Sequence, residues 1–202
     1  MAAKKNSNGT MSRNKASAES QIALLRGVNV GGKNRIAMQD LAAMFEAAGC
    51  TDVRTYIQSG NVVFSVSAAR AKGVRPAVER ALSAKLGNAI TVVLRTRAEW
   101  NAAIEANPHL VPNADLKQIY VAFMADKPSS AQIAALDPNR SKPDEFIVHG
   151  REIYLRFPAG LGQSKLTNDY FDRTLKTVVT VRNWNTVLAL REMAMDPSKR
   201  KP

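Results

Sequence analysis

Short β-rich runs and helical periods alternate along this chain in one order, and that order is met twice. Ile22 to Leu25 reads as a strand. After a glycine-rich loop, Met38, Leu41, Ala42, Phe45 and Ala48 share one helical face, and Gly49 suits the position just past a helix end. Val53–Ile57 and Val62–Val66 are β-rich and joined by Gln58-Ser59-Gly60-Asn61, a hairpin signal. Val74, Val78, Ala81, Leu82 and Lys85 mark a second helix, with Pro76 expected near its first turn and Gly87 after it. Ile90–Leu94 is a fourth strand. Thr96-Arg97-Ala98-Glu99 then has capping-box spacing and opens a helix that must stop near Asn107-Pro108.

The order β-α-β-β-α-β is that of the split βαβ, or ferredoxin-like, fold. The second half begins the same way. Gln118–Met124 is a strand, and Ser129 or Ser130 caps a short helix. Glu145–Val148 and Glu152–Phe157 form a hairpin across His149-Gly150. A helix follows around Leu166–Leu175, then a short strand at Val178–Val181 and a last helix over Asn183–Met195. The expected class is α+β: two ferredoxin-like halves with antiparallel sheets, helices on one face of each, and an added C-terminal helix. The expected boundaries are a basic tail over 1–20, domains over 21–107 and 116–195, and a second basic tail over 196–202. The repeat is one of element order, with no residue-level repeat visible.

Composition narrows the function classes. The chain has 202 residues, 45% of them hydrophobic and 23% charged, as in ordinary globular proteins. No apolar run is long enough to span a membrane. The basic N-terminus lacks the apolar core of a secretory signal, and the single Cys50 excludes an internal disulfide, so a cytoplasmic location is expected. The net charge is +12; the two tails hold +3 and +2, leaving +7 for the body. A positive field attracts polyanions without specificity. His109 and His149 stand alone, so no metal site is expected, and no cofactor is called for.

The candidate chemistry lies in loops. Leu25 to Asn34, LRGVNVGGKN, joins Arg26, Asn29 and Lys33 to Gly31 and Gly32, a combination able to cradle an anion. It matches G-x-x-x-x-G-K of the phosphate loop. Asn34 replaces the metal-holding hydroxyl, the helix starts late, and the element order does not give a parallel sheet, so a nucleotide-triphosphate site is disfavoured. In a split βαβ the third strand lies between the first two, which brings this loop to the edge that carries Gln58, Ser59 and Asn61. A second cluster, Gly160 to Lys165, precedes a helix and contains Ser164 and Lys165; Arg182 and Asn185 flank the start of the last helix. Simple capping accounts for Ser164 or Thr167 and for Asn183.

Five ordered segments, IALLRGVNVGGKN, DVRTYIQSGNVVF, ANP, FPAGLGQSKL and VRNWNTVLAL, resemble the family called domain of unknown function 1697. The resemblance runs from about Gln21 to Met195 and rests on Arg26, Gly27, Asn29, Gly31, Gly32, Gln58–Asn61, Gly160, Ser164, Lys165 and Arg182–Trp184. It implies a two-part α+β protein and brings no activity with it.

Three functions fit. The first is binding, with or without catalysis, of a small anionic or phosphorylated ligand between the halves. Arg26, Lys33, Lys165 and Arg182 would neutralise it; Asn29, Gln58, Asn61 and Asn185 would orient it. Ser59, Ser164 and the Gly31-Gly32 backbone would complete the site. The second is a nucleic-acid-binding module using Tyr120, Tyr154 and Arg156 as a stacking face. The third is a structural or interaction protein. No catalytic residue is assigned.

Overall fold

The computed structural model describes residues 18–196; the expected tails lie largely outside the described residues. Eight strands form two four-stranded sheets. The first holds β1 (Glu19–Leu25), β2 (Thr51–Tyr56), β3 (Asn61–Val66) and β4 (Val92–Thr96) in the order β2-β3-β1-β4. The second holds β5 (Ile119–Met124), β6 (Glu145–His149), β7 (Glu152–Arg156) and β8 (Val179–Asn183) in the order β6-β7-β5-β8. All pairings are antiparallel. Both sheets therefore have the split βαβ topology.

Among the described residues six α-helices accompany them: α1 (Met38–Ala47), α2 (Ala68–Leu86), α3 (Arg97–Glu105), α4 (Ser130–Ala134), α5 (Asn168–Leu175) and α6 (Trp184–Met195). Several boundaries shift by one to three residues from expectation, β4 among them, which runs Val92–Thr96 and not Ile90–Leu94; two differences have a clear cause. β1 starts at Glu19, inside the stretch assigned to the tail, because Glu19 and Ser20 pair with Val66 and Ser65. Pro76 lies in the interior of α2, because the helix-favouring run Ala68–Lys72 extends it two turns upstream.

Alternation along the strands sorts their side chains into three buried apolar clusters. Ala23, Leu25, Val62 and Phe64 face α1 and α2. Ala122, Met124, Ile153 and Leu155 face α5 and Leu136, which follows α4. The remaining faces of both sheets, with Ile22, Leu24 and Val63 on one side and Val121, Phe123 and Tyr154 on the other, enclose a shared core. Trp100 from α3 and Trp184, Val187 and Leu190 from α6 fill it. Trp100 stacks on Phe123 with ring centroids 4.5 Å apart and donates from Nε1 to the Val187 carbonyl at 3.1 Å. The two halves are thus joined through a layer of helices, one contributed by each.

Candidate functional site

The first loop is tied down from within. Gly31 and Gly32 have φ of 59° and 76°, and Lys33 N–H donates to the Val30 carbonyl at 3.1 Å, so the loop folds back as a tight turn. Asn29, itself at φ 54°, uses its whole amide: Nδ2 donates to the carbonyls of Ile36 and Gln58, both at 2.9 Å, and Oδ1 accepts from Ile36 N–H at 2.9 Å. Asn34 Nδ2 donates to the Gly27 carbonyl at 2.9 Å. Helix α1 begins only at Met38, so the loop is no phosphate loop running straight into a helix.

Loop and hairpin meet as the topology requires. Leu25 N–H donates to the Gly60 carbonyl at 2.8 Å. A Cβ at Gly60 would stand 2.5 Å from Val28 Cγ2, so only glycine allows this approach. Asn61, fully buried, donates to the Tyr56 carbonyl and to Ser59 Oγ.

Arg182 on β8 reaches across from the other half. It donates to Asn61 Oδ1 at 2.5 Å, to the carbonyls of Leu25 and Ser59 at 3.1 Å each, to Thr180 Oγ1 at 2.7 Å and to the Val181 carbonyl at 2.9 Å. All five N–H groups of the guanidinium are used. Burial, and then the neighbouring Arg26, pull its pKa down to about 10. Arg26 in turn pairs with Asp169 at 2.9 Å and Asp172 at 3.1 Å, both on α5.

Two concavities result. A cleft of about 300 Å³ between the halves is lined by Arg26, Ser59, Tyr120, Asn168 and Arg182, among others. A second, of about 460 Å³, lies beside the first loop and is lined by Asn29, Gly32, Arg35, Ile36, Ala37 and Gln58. Neighbouring residues alternate between them: Val28, Val30, Ile57 and Ser59 line the cleft, whereas Asn29 and Gln58 line the loop pocket. The structure thus brings Arg26, Ser59 and Arg182 together, with Asn61 behind them, and groups Asn29, Gly32 and Gln58 separately. Gly31, Lys33, Ser164, Lys165 and Asn185 line neither concavity. Ser164 Oγ accepts from Leu166 N–H, while the Lys165 backbone is held by Ser141 Oγ and Arg140. Thr167 and Asn183 cap α5 and α6.

Sequence reasoning missed Arg35. It lines the loop pocket, and among the described residues its guanidinium has no hydrogen-bond or ion-pair partner. Helix α1 presents its N-terminus there too: Ala37 occupies the cap position and provides no side-chain acceptor. A lone arginine outside any motif gives no signal beyond its charge.

Among the described residues the expected stacking face does not form. Tyr154 is buried in the shared core, where its hydroxyl donates to the Ala103 carbonyl at 2.9 Å and burial raises its pKa to about 12. Arg156 is paired with Glu145. The central strands β1, β3, β5 and β7 have both faces covered, which leaves no sheet surface of the kind on which bases stack. Among the described residues no helix is long and apolar enough to cross a membrane.

The family model described as "Protein of unknown function (DUF1697)" matches residues 19–154. The chain belongs to this family. The matched stretch takes in the first sheet and the second as far as β7; the SKL and RNWNT segments fall beyond it. Among solved structures the chain is similar to the conserved bacterial protein SP0830 from Streptococcus pneumoniae, at 21% identity over 89% of this chain and 100% of that one, with a TM-score of 0.66. At that identity the likeness speaks for the fold. No curated protein matches.

Proposed function

We propose that the chain binds a small anionic ligand, phosphate-bearing or of similar charge, in the pocket beside the first loop. The observation that carries this reading is the meeting of three uncommitted groups there. They are the Arg35 guanidinium, the Gln58 side-chain amide, and the first-turn N–H groups of α1, which has no side-chain cap. A helix N-terminus favours negative charge, and an adjacent guanidinium adds planar, paired donors. Lys33, exposed on the neighbouring turn, adds a further cation. The inter-half cleft is the weaker place for an anion, since Arg26 is matched by two aspartates and Arg182 has no N–H left to offer. The buried, unreactive Cys50, its thiol pKa raised to about 11 by burial, suits a reducing cytoplasm.

The test is thermal denaturation with inorganic phosphate, pyrophosphate and a nucleoside monophosphate. A ligand that binds only the folded state raises the Tm by mass action. The expected result is a rise for wild type that is lost in Arg35→Ala and reduced in Gln58→Ala, both exposed positions. No rise with any probe, or one indifferent to Arg35→Ala, overturns the reading.

A further inference from the structure

Each sheet ends in two edge strands, and three of the four are covered or blunted. β4 and β8 carry Arg95 and Arg182, both buried against the opposite half. β2 has a register break between Thr51 and Arg54, with Asp52 at φ 51°, and Arg54 ties it to the carbonyls of Met193 and Asp196. A break of this kind turns an edge away from a further strand. β6 has neither protection. Its register against β7 runs unbroken from Glu145 to His149, and it holds no proline, lysine or bulge.

The hairpin decides which backbone groups β6 offers. Gly150 and Arg151 form a two-residue turn, and His149 faces Glu152 across it. That flanking pair exchanges both ladder hydrogen bonds, because the alternative pattern would need one between the two neighbouring turn residues. Alternation then turns the N–H and C=O of Glu145, Ile147 and His149 toward β7 and those of Phe146 and Val148 outward. Among the described residues nothing bonds to these outward groups. Backbone groups that find no partner in the protein almost always lie within reach of water. Between exposed Glu145 and His149 stands Ile147, itself 45% exposed. Val111, 58% exposed, lines with Ile147 one concavity of about 550 Å³, so the apolar surface on that face is wider than the strand.

We propose that β6 is the contact strand of a homodimer, pairing antiparallel with β6 of a second copy about a two-fold axis through Ile147. The strand is complementary to itself in that register. Glu145 stands opposite His149 of the second copy, Ile147 opposite Ile147, and Phe146 opposite Val148. The Phe146–Val148 pairs are the hydrogen-bonded ones, so every outward N–H and C=O finds a partner. On one face Arg156, Glu145, then His149 and Glu152 of the second copy form a row in which donors and carboxylates alternate. On the other face Phe146, already edge-on to Phe171, meets Val148, an aromatic and β-branched pair. The two four-stranded sheets of the C-terminal halves join into one. Moving the register by two residues sets Ile147 against Glu145 or against His149, so the apolar pair and the charged pairs are lost together.

The experiment is sedimentation velocity of the full chain over a concentration series, with far-UV circular dichroism to establish that each variant is folded. Wild type should pass from monomer to dimer as concentration rises. Ile147→Lys, at an exposed position, brings like charges together on the axis and should weaken the dimer at least about tenfold. Glu145→Lys and His149→Glu, each alone, should weaken it as well, because they set two donors or two carboxylates opposite each other. A mixture of those two variants should dimerise again, since every donor then faces a carboxylate; the recovery is specific to this register. A monomer at every concentration, a dimer indifferent to Ile147→Lys, or no recovery in the mixture overturns the proposal.

Discussion

Arg95 and Arg182 occupy the same place in the two halves and each is buried in the other. Arg95 is second from the end of β4 and lies opposite Ile22; Arg182 is second from the end of β8 and lies opposite Val121. Arg95 donates to the carbonyl of Met124, the last residue of β5, and pairs with Glu152, the first of β7. Arg182 donates to the carbonyl of Leu25, the last residue of β1, and to Asn61, the first of β3. The next residues, Thr96 and Asn183, cap α3 and α6. Reciprocal contacts of this kind are what a two-fold relation between two like units produces. The residue-level repeat, invisible in the sequence, is present in the register.

The two arginines should not be equally costly to lose. Arg182→Ala strands the Leu25 and Ser59 carbonyls and Asn61 Oδ1, for a cost of about 3 kcal/mol in urea unfolding. Arg95→Ala strands the largely buried carboxylate of Glu152, for about 3–5 kcal/mol. Adding Glu152→Gln to Arg95→Ala should recover part of that loss. No recovery would mean that the ion pair is not what Arg95 contributes.

Both tryptophans lie in the core shared by the two sheets, so the described residues should unfold together. In Trp100→Phe and Trp184→Phe the remaining tryptophan's fluorescence and the far-UV circular dichroism should give one coincident transition. Separate midpoints would show that each half holds its own structure. A fragment ending at Asn107 exposes Ile22, Leu24, Val63 and Trp100 and should not unfold cooperatively.

Ile57→Asn should raise stability by about 1 kcal/mol, because asparagine tolerates the left-handed backbone that isoleucine is forced to adopt. Ile57→Val keeps the β-branch and should leave the urea midpoint unchanged. Equal midpoints for all three proteins would show that the hairpin tip relaxes in solution.

His109 sets a pH dependence. Burial lowers its pKa in the folded chain against the opposing pull of Glu145 at 3.8 Å, and Arg156 beside that carboxylate adds to the lowering. Above the unfolded-state value of about 6.5 the imidazole is neutral in both states and its contribution is complete. As pH falls below that value the unfolded chain takes up a proton that the folded chain resists, so stability falls with pH. Urea midpoints from pH 8 downward should show this slope for wild type and a flatter one for His109→Phe. Parallel curves would contradict it.

Much of the fold was legible because strand and helix periods are local. Apolar spacing located every sheet strand, and topology alone placed Leu25–Lys33 beside Gln58–Asn61, where Leu25–Gly60 and Asn29–Gln58 hydrogen bonds join them. The partner of each apolar face was not legible. On β7, Tyr154 alternates with Ile153 and Leu155, a pattern that usually puts one set in water; here α3 covers Tyr154, so both sets are buried. The same limit applies to cations. Arg182 and Lys165 look alike as isolated positive residues, yet one is enclosed by carbonyls from the opposite half and the other faces solvent.

The arginines that cross between halves also decide how the cleft between them can change shape. Moving one half as a body would pull each guanidinium from carbonyls it cannot replace, so hinge-like opening is the least accessible motion. What remains free to move is the exposed side chains of Val30, Ile57 and Leu161, so the mouth of the cleft varies by rotamer exchange on a fast timescale while the width between its walls is held constant.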